Sequence, residues 1–283
     1  MALILNEEQK MLKDSANEFL AMNAPVEQFR TLRDNNYQAF DQDLWQEIVE
    51  MGWTALTFPE EFNGLDFGYV GLGQVMEEMG KRLTKAPLFS SIVLAGTALV
   101  HSANQGLKER WIPALMNGTK RLAFAQDEKS YFDPNNTATI ATKTGNEYTL
   151  NGCKKMVIDG AGADGFIVVA KTDEGDLGLF LVDAESEGIT MTTEVLLDAG
   201  TYAQIDFNAV KIDASQRLND VGNGNALLNH INNTAAICLS AEMLGMITEA
   251  FGQTVAYLQE RQQFGKRIGT YQALQHRAAK LFC

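Results

Sequence analysis

Apolar residues in the first 118 positions recur with helical spacing. Met11, Leu12, Ala16, Phe19 and Leu20 form one stripe. Asn6 is placed to cap that helix, and Gln9 three residues on completes a capping-box pattern. Leu44, Trp45, Ile48 and Val49 form a second stripe behind a polar stretch, with Asp43 as expected cap and Gly52 as stop. A turn-rich connector over residues 58–64 follows. Helical patterns then run over 71–82, 87–101 and 107–116, the last ending at Asn117-Gly118.

The period then changes. From Leu122 to Ala125 the chain turns apolar, and the region beyond is rich in threonine, β-branched residues and glycine. Asn151-Gly152 has the form of a hairpin turn after Tyr148, Thr149 and Leu150. Residues 166–170 and 179–182 are short apolar runs suited to buried strands, and 204–212 alternates with one break. A β-barrel or sandwich is expected over 119–217. Helical patterning returns at Asn225 and lasts to Glu260, about 54 Å at 1.5 Å per residue. Its stripe is Leu227, Leu228, Ile231, Ala235, Leu239, Met243, Met246, Ala250 and Phe251. Ala241 and Gly245 leave room for a close neighbour. A last helical pattern begins near Tyr271 and is still running at Cys283. The expected fold is mainly α with a central β domain: helical over 1–118, β over 119–217, and the first part of a helical bundle over 218–283.

Composition narrows the function. The 283 residues carry 23 basic and 36 acidic side chains, a net charge of −13. That excludes nucleic acid as a main partner, while a local basic site still suits a small anion. Hydrophobic content of 46% and charged content of 21% are those of a globular protein. No secretory leader and no transmembrane span are expected, and a cytoplasmic location is the simplest reading. Three cysteines far apart suit neither a disulfide framework nor a metal cage.

Among candidate motifs, Gly160, Gly162 and Gly165 spell G-x-G-x-x-G. A strand-like run follows instead of a helix, so a turn between strands is expected in place of a dinucleotide site. His101, His230 and His276 are separated widely in sequence, and no metal site is expected. Residues 261–272 gather Arg261, Lys266, Arg267, Gln262, Gln263, Phe264 and Tyr271 around two glycines. An arginine there could clamp an anion while an aromatic ring packs on a flat ligand. On these residues alone, a basic connector between helices is an equally good reading.

Longer strings carry a family resemblance. Residues 59–65 resemble a P-E-E-x-G-G connector, 76–80 an E-E-x-G helix, and 150–155 an L-N-G-x-K strand. Residues 257–265 match Y-x-x-x-R-x-Q-F-G, and 268–275 match I-x-x-x-Q-x-x-Q. Together they resemble the acyl-CoA dehydrogenases over nearly the whole chain. The resemblance implies FAD, an acyl-CoA substrate, a dimer or tetramer, and an electron-transfer flavoprotein as acceptor. It implies removal of the α proton of the thioester with hydride transfer to flavin N5. It assigns Arg261, Gln263, Phe264, Ile268, Tyr271 and Gln272 to the FAD of a neighbouring subunit. Phe124, Gln126, Asp127, Val157 and Asp159 are assigned to the isoalloxazine.

The departures are specific. Where the family has A-x-T-E-P, this chain has Ala125, Gln126, Asp127, Glu128 and Lys129, and Asp159 stands in the family's W-[IS]-[TS]-N region. Two flavin-bonding positions thus carry carboxylates. The motif form is closer to bacterial subgroups acting on unusual or steroid-type acyl-CoAs, some of which pair unlike subunits. Ala235 occupies the place where a minority of members carry the catalytic base. The base is otherwise expected beyond Cys283, the chain being read as C-terminally truncated, and it is not assigned here. A non-catalytic partner subunit of a heteromeric dehydrogenase, and a flavin-dependent hydroxylase on the same fold, are the alternative readings.

Overall fold

A computed structural model describes residues 4–134, 136–198 and 200–282. The capping box forms ahead of α1 (Glu7–Asn23): Gln9 N–H donates to Asn6 Oδ1 at 2.8 Å, and Asn6 N–H donates to Gln9 Oε1 at 3.0 Å. A short helix, α2 (Val26–Asp34), occupies the stretch read as merely polar. The cap of α3 (Gln42–Glu50) is Asp41 and not Asp43. Its Oδ1 accepts from the backbone N–H groups of Asp43 and Leu44. After α4 (Gly68–Arg82), the chain takes a widened π-helical form over Phe89–Gly96 before α5 (Thr97–Val100). Gly96 packs so closely on Phe58 that an added Cβ would lie 2.9 Å from Cζ of that ring. The helix α6 (Gln105–Met116) closes this half.

Among the described residues, seven strands build one curled sheet: β1 (Leu122–Ala125), β2 (Ile140–Thr144), β3 (Glu147–Ile158), β4 (Gly165–Thr172), β5 (Leu177–Asp183), β6 (Ile189–Val195) and β7 (Thr201–Asp213). The order is β1-β4-β2-β3-β7-β6, with β5 on the other side of β4. β1 and β2 lie parallel to β4 at its two ends, and the other pairs are antiparallel. Along β4, Ile167 and Val169 face one core and Phe166, Val168 and Ala170 the other, which is why that run is continuously apolar.

The hairpin expected at Asn151-Gly152 lies elsewhere. The β2–β3 turn is at Gly145-Asn146, and Asn151-Gly152 forms a bulge inside β3. Asn151 Oδ1 accepts from Ala209 N–H at 2.8 Å, and Gly152 admits Thr139 where a Cβ would lie 2.5 Å from its Oγ1. The break in alternation of β7 falls at Ala209, whose φ is +53°. Gly160 and Gly162 lie in the turn between β3 and β4 and Gly165 opens β4, so the motif joins two strands as expected.

The 37-residue α7 (Gly224–Glu260) follows. Its crossing with α4 is nearly backbone to backbone. A Cβ on Gly245 would lie 1.9 Å from Glu77 O, and one on Gly80 would lie 2.0 Å from Glu242 O. The expected stripe is covered only as far as Cys238. Beyond it, Met243, Leu244 and Ile247 are 51%, 51% and 59% exposed. Among the described helices α7 alone is long and apolar enough to cross a membrane by length and composition, a test that core helices of soluble proteins also pass. The chain then forms a two-residue hairpin, β8 (Gln262–Gln263) and β9 (Lys266–Arg267), before α8 (Gln272–Phe282).

Candidate functional site

A cavity of about 380 Å³ lies between the sheet and α7, within the size range of small-molecule sites. The π-helical turn contributes Phe89 and Leu94. β1 and the loop after it contribute Phe124, Gln126, Asp127 and Phe132. β3 contributes Met156 and Ile158, and α7 contributes Asn232, Ala235, Ala236 and Leu239. Most of this wall is apolar.

Three polar side chains break it, Asn232 on α7 and the adjacent pair Gln126 and Asp127. Gln126 is only 7% exposed and its Nε2 has no hydrogen-bond partner, nor has the buried Oδ1 of Asp127. Burial raises the pKa of Asp127 above the ordinary carboxylate value, against hydrogen bonding from the Asp133 backbone and the nearby charge of Lys154. An unfilled donor beside a carboxyl that burial drives towards its neutral form is a polar edge waiting for a ligand.

The loop holding that edge is fixed from below by a side chain the sequence reading passed over. Lys154 is fully buried, and its Nζ donates to Gln126 O at 2.9 Å and to Glu128 Oε1 at 2.7 Å. Glu128 also accepts from the N–H groups of Ala138 (2.6 Å) and Thr139 (2.9 Å). Burial works against the charge on Glu128, but bonds from Lys154 and Thr139 outweigh it and hold its pKa below the usual value. Lys155 N–H donates to Asp127 O at 2.7 Å, completing the clamp. The available signal was the lysine of the L-N-G-x-K string together with the one surviving glutamate of the first signature.

Val157 lies apart from these residues. It is buried in the inner core of the sheet, opposite Ala203, and is absent from the cavity wall. A second bulge between Lys154 and Val157, with Met156 at φ +54°, re-aims the strand so that Met156 and Ile158 line the cavity instead. Asp159 also lies off the wall. Its Oδ2 accepts from Ser90 Oγ at 2.6 Å, and burial pushes its pKa up to about 6, offset in part by Ser90 and Lys85. Glu242 on α7 is raised as well, by burial and then by the charge of Asp159.

Arg261, Gln263, Phe264, Ile268, Tyr271 and Gln272 form a separate group, and none of them lines the cavity. The β8–β9 turn has positive φ at both central residues, Phe264 (+52°) and Gly265 (+78°), the form that suits a two-residue hairpin. Phe264 tolerates that conformation while 92% exposed. The hairpin is nonetheless well braced. Ile268 N–H donates to Arg261 O at 2.8 Å, Tyr271 Oη to Gln263 O at 3.4 Å, and Lys266 Nζ sits 4.3 Å over the Tyr271 ring. It is a shaped, exposed arm outside its own chain's cavity.

A helical half, a curled sheet and a long helix enclosing an apolar slot with a polar edge define a helix–β–helix class of ligand-binding scaffold. Three family descriptions match in that order: "Acyl-CoA dehydrogenase, N-terminal domain" over residues 6–119, "middle domain" over 124–213 and "C-terminal domain" over 222–283. The chain belongs to the acyl-CoA dehydrogenase family.

It is 29% identical to the acyl-CoA dehydrogenase FadE27 of Mycobacterium tuberculosis, over 87% of this chain and 64% of that protein. The chain thus spans somewhat under two thirds of that relative's length. The ChsE4–ChsE5 complex from Mycobacterium tuberculosis superposes with a TM-score of 0.90 at 27% identity, over 99% of this chain and 74% of that one. A variant of the Tcur3481–Tcur3483 steroid ACAD gives 0.86 at 28% identity, over 96% and 72%.

Proposed function

We propose that this chain supplies the FAD- and acyl-CoA-binding framework of an acyl-CoA dehydrogenase-type oxidoreductase acting on the CH–CH bond next to a thioester. The observation that carries the proposal is the unpartnered pair Gln126 Nε2 and Asp127 Oδ1 at one edge of the apolar slot. The slot suits a flat ring system with a hydrogen-bonding rim, so the residues present fit the flavin that the family implies. FAD, when bound, supplies the two-electron acceptor for the oxidation. Phe124, Met156 and Ile158 would flank the ring, while Gln126 and Asp127 would bond its polar edge. Arg261, Gln263, Phe264 and Gln272, carried on the outward arm, would reach the nucleotide held by a second subunit.

A partner-subunit reading has its own support. The α7 wall of the cavity presents Ala235, Ala236, Leu239 and Asn232, none of which can remove a proton from a substrate carbon. The second-subunit reading also accords with the likeness to a two-component complex, and steroid-type acyl-CoAs are the substrate class proposed for such a pair. An electron-transfer flavoprotein is the proposed acceptor.

Flavin absorbance of the purified protein, followed by anaerobic addition of acyl-CoAs, tests both readings. Bleaching by an acyl-CoA supports desaturation by this chain. Bound flavin that bleaches only when a second dehydrogenase-like subunit is added assigns the partner role. A protein that takes up no flavin, alone or with such a subunit, would overturn both.

A further inference from the structure

The fold joins two histidines that stand 129 positions apart in the chain. His101 follows the last turn of α5 and His230 lies on the first half of α7, with their Nε2 atoms 2.9 Å apart. The ring centroids are only 4.0 Å apart and the planes cross at 63°. Two imidazoles bonded end to end would have their centroids separated by the contact plus a ring radius on each side, well beyond 4.0 Å. The rings therefore stand side by side, with one Nε2–H donating to the other Nε2, a proton that a cation bound to both would displace.

We propose that His101 and His230 form a two-imidazole chelate for a divalent transition cation of tetragonal preference, Cu²⁺ or Ni²⁺ ahead of Zn²⁺. With metal–nitrogen bonds of about 2.0–2.1 Å, nitrogens 2.9 Å apart subtend roughly 90° at the ion. That is the angle between neighbouring positions of a square-planar or octahedral sphere, and it is too narrow for a tetrahedral one.

The backbone on both sides is held in place. Ser102 Oγ donates to Leu218 O at 2.7 Å and Ala103 N–H to the same oxygen at 2.8 Å, tying the segment after His101. On α7, Leu227, Leu228 and Ile231 are buried around His230, and Gly224 lies so close to Leu177 that a Cβ would be 1.9 Å from its carbonyl oxygen. Both imidazoles are exposed, and it is the braced backbone beneath them that limits the freedom lost on binding an ion.

Both histidines line a cavity of about 390 Å³ together with Asn219, Asp220 and Asn223. This cavity shares no wall residue with the slot described above. Among the described residues no third His, Cys, Asp or Glu completes a protein cage, so the remaining positions belong to water. Lys108 acts on His101 as a nearby cation and opposes the ion, with Asp220 as a counterweight on the cavity wall.

The test uses the untagged protein, titrated with Cu²⁺ by calorimetry and electron paramagnetic resonance. One equivalent should bind with hyperfine coupling to two nitrogens. H101Q or H230Q should each weaken binding at least tenfold and remove the two-nitrogen pattern, while H276Q should change neither. Ni²⁺ should raise the thermal midpoint of the wild-type protein and not that of the H101Q/H230Q double variant. Wild-type binding no tighter than that of the double variant, or a signal from a single nitrogen, would overturn the assignment. The result is independent of flavin and of acyl-CoA turnover.

Discussion

Replacing Glu128 by alanine should damage the fold more than its place beside a loop suggests. The Lys154 side chain is fully buried, and Glu128, with a side chain 11% exposed, is its ion-pair partner at 2.7 Å. Removing one member of a buried pair leaves an uncompensated charge, at a cost of about 3–5 kcal/mol. The Ala138 and Thr139 N–H groups lose their acceptor as well, each worth about 1 kcal/mol where water cannot replace it. Against a total stability of roughly 5–15 kcal/mol, the variant should be folded but weakened. Its thermal midpoint should fall by roughly 10–25 °C, at about 2–4 °C per kcal/mol for a chain of this size or a little smaller. Urea unfolding at neutral pH, with an unchanged denaturant slope, gives the free energy directly. Lys154→Met should cost less, because Glu128 keeps its two backbone donors and some contact with water. The double variant E128A/K154M should then be more stable than Glu128→Ala alone, since it removes the stranded cation. A loss below about 1 kcal/mol for Glu128→Ala, or strictly additive effects, would refute a buried ion pair as the anchor of the Gln126–Asp127 edge.

Arg261→Ala should lose FAD while keeping the thermal midpoint of the flavin-free protein; unchanged flavin per chain would refute the role given to the hairpin. Asp159 favours its protonated form in the folded state, so its own contribution to stability is fully present below the ordinary value of 3.8, declines as pH rises towards about 6, and is lost above it. Asp159→Asn should flatten that decline in urea midpoints measured between pH 4 and 7, and an unaltered profile would count against the buried carboxyl. Gly245→Ala places a methyl 1.9 Å from Glu77 O and should cost roughly 1–3 kcal/mol as α4 and α7 separate, again read by urea unfolding. Asn151→Ala, which strands the Ala209 N–H at the β7 bulge, should cost about 1 kcal/mol in the same assay.

What could be read from the chain in advance depended on how local the determining contact was. The Asn6–Gln9 box spans three residues and was visible, whereas the choice of Asp41 over Asp43 depends on where α3 enters the core. Asn151-Gly152 carries the residues of a tight turn, yet its use is set by Thr139 and Ala209 on other strands, and it became a bulge. The same limit hid Met156 and Ile158, because the bulge between Lys154 and Val157 that turns them towards the cavity is set by pairing with β7. The burial of Lys154 was not legible because the carboxylate that neutralises it is 26 residues away. The long-range pairing of His101 with His230 left no trace in spacing at all. The α7 stripe was legible, but not the fact that its second half stays uncovered.

The outward arm also bears on supply. If residues 261–272 complete a site on a different chain, cofactor retention becomes a matter of stoichiometry. Dilution would release flavin even with no competitor present, and a surplus of one subunit over an unlike partner would remain unloaded however much flavin surrounds it. Retention would then follow the product of two subunit concentrations, so balanced synthesis of the partners would govern how much enzyme is ready to work.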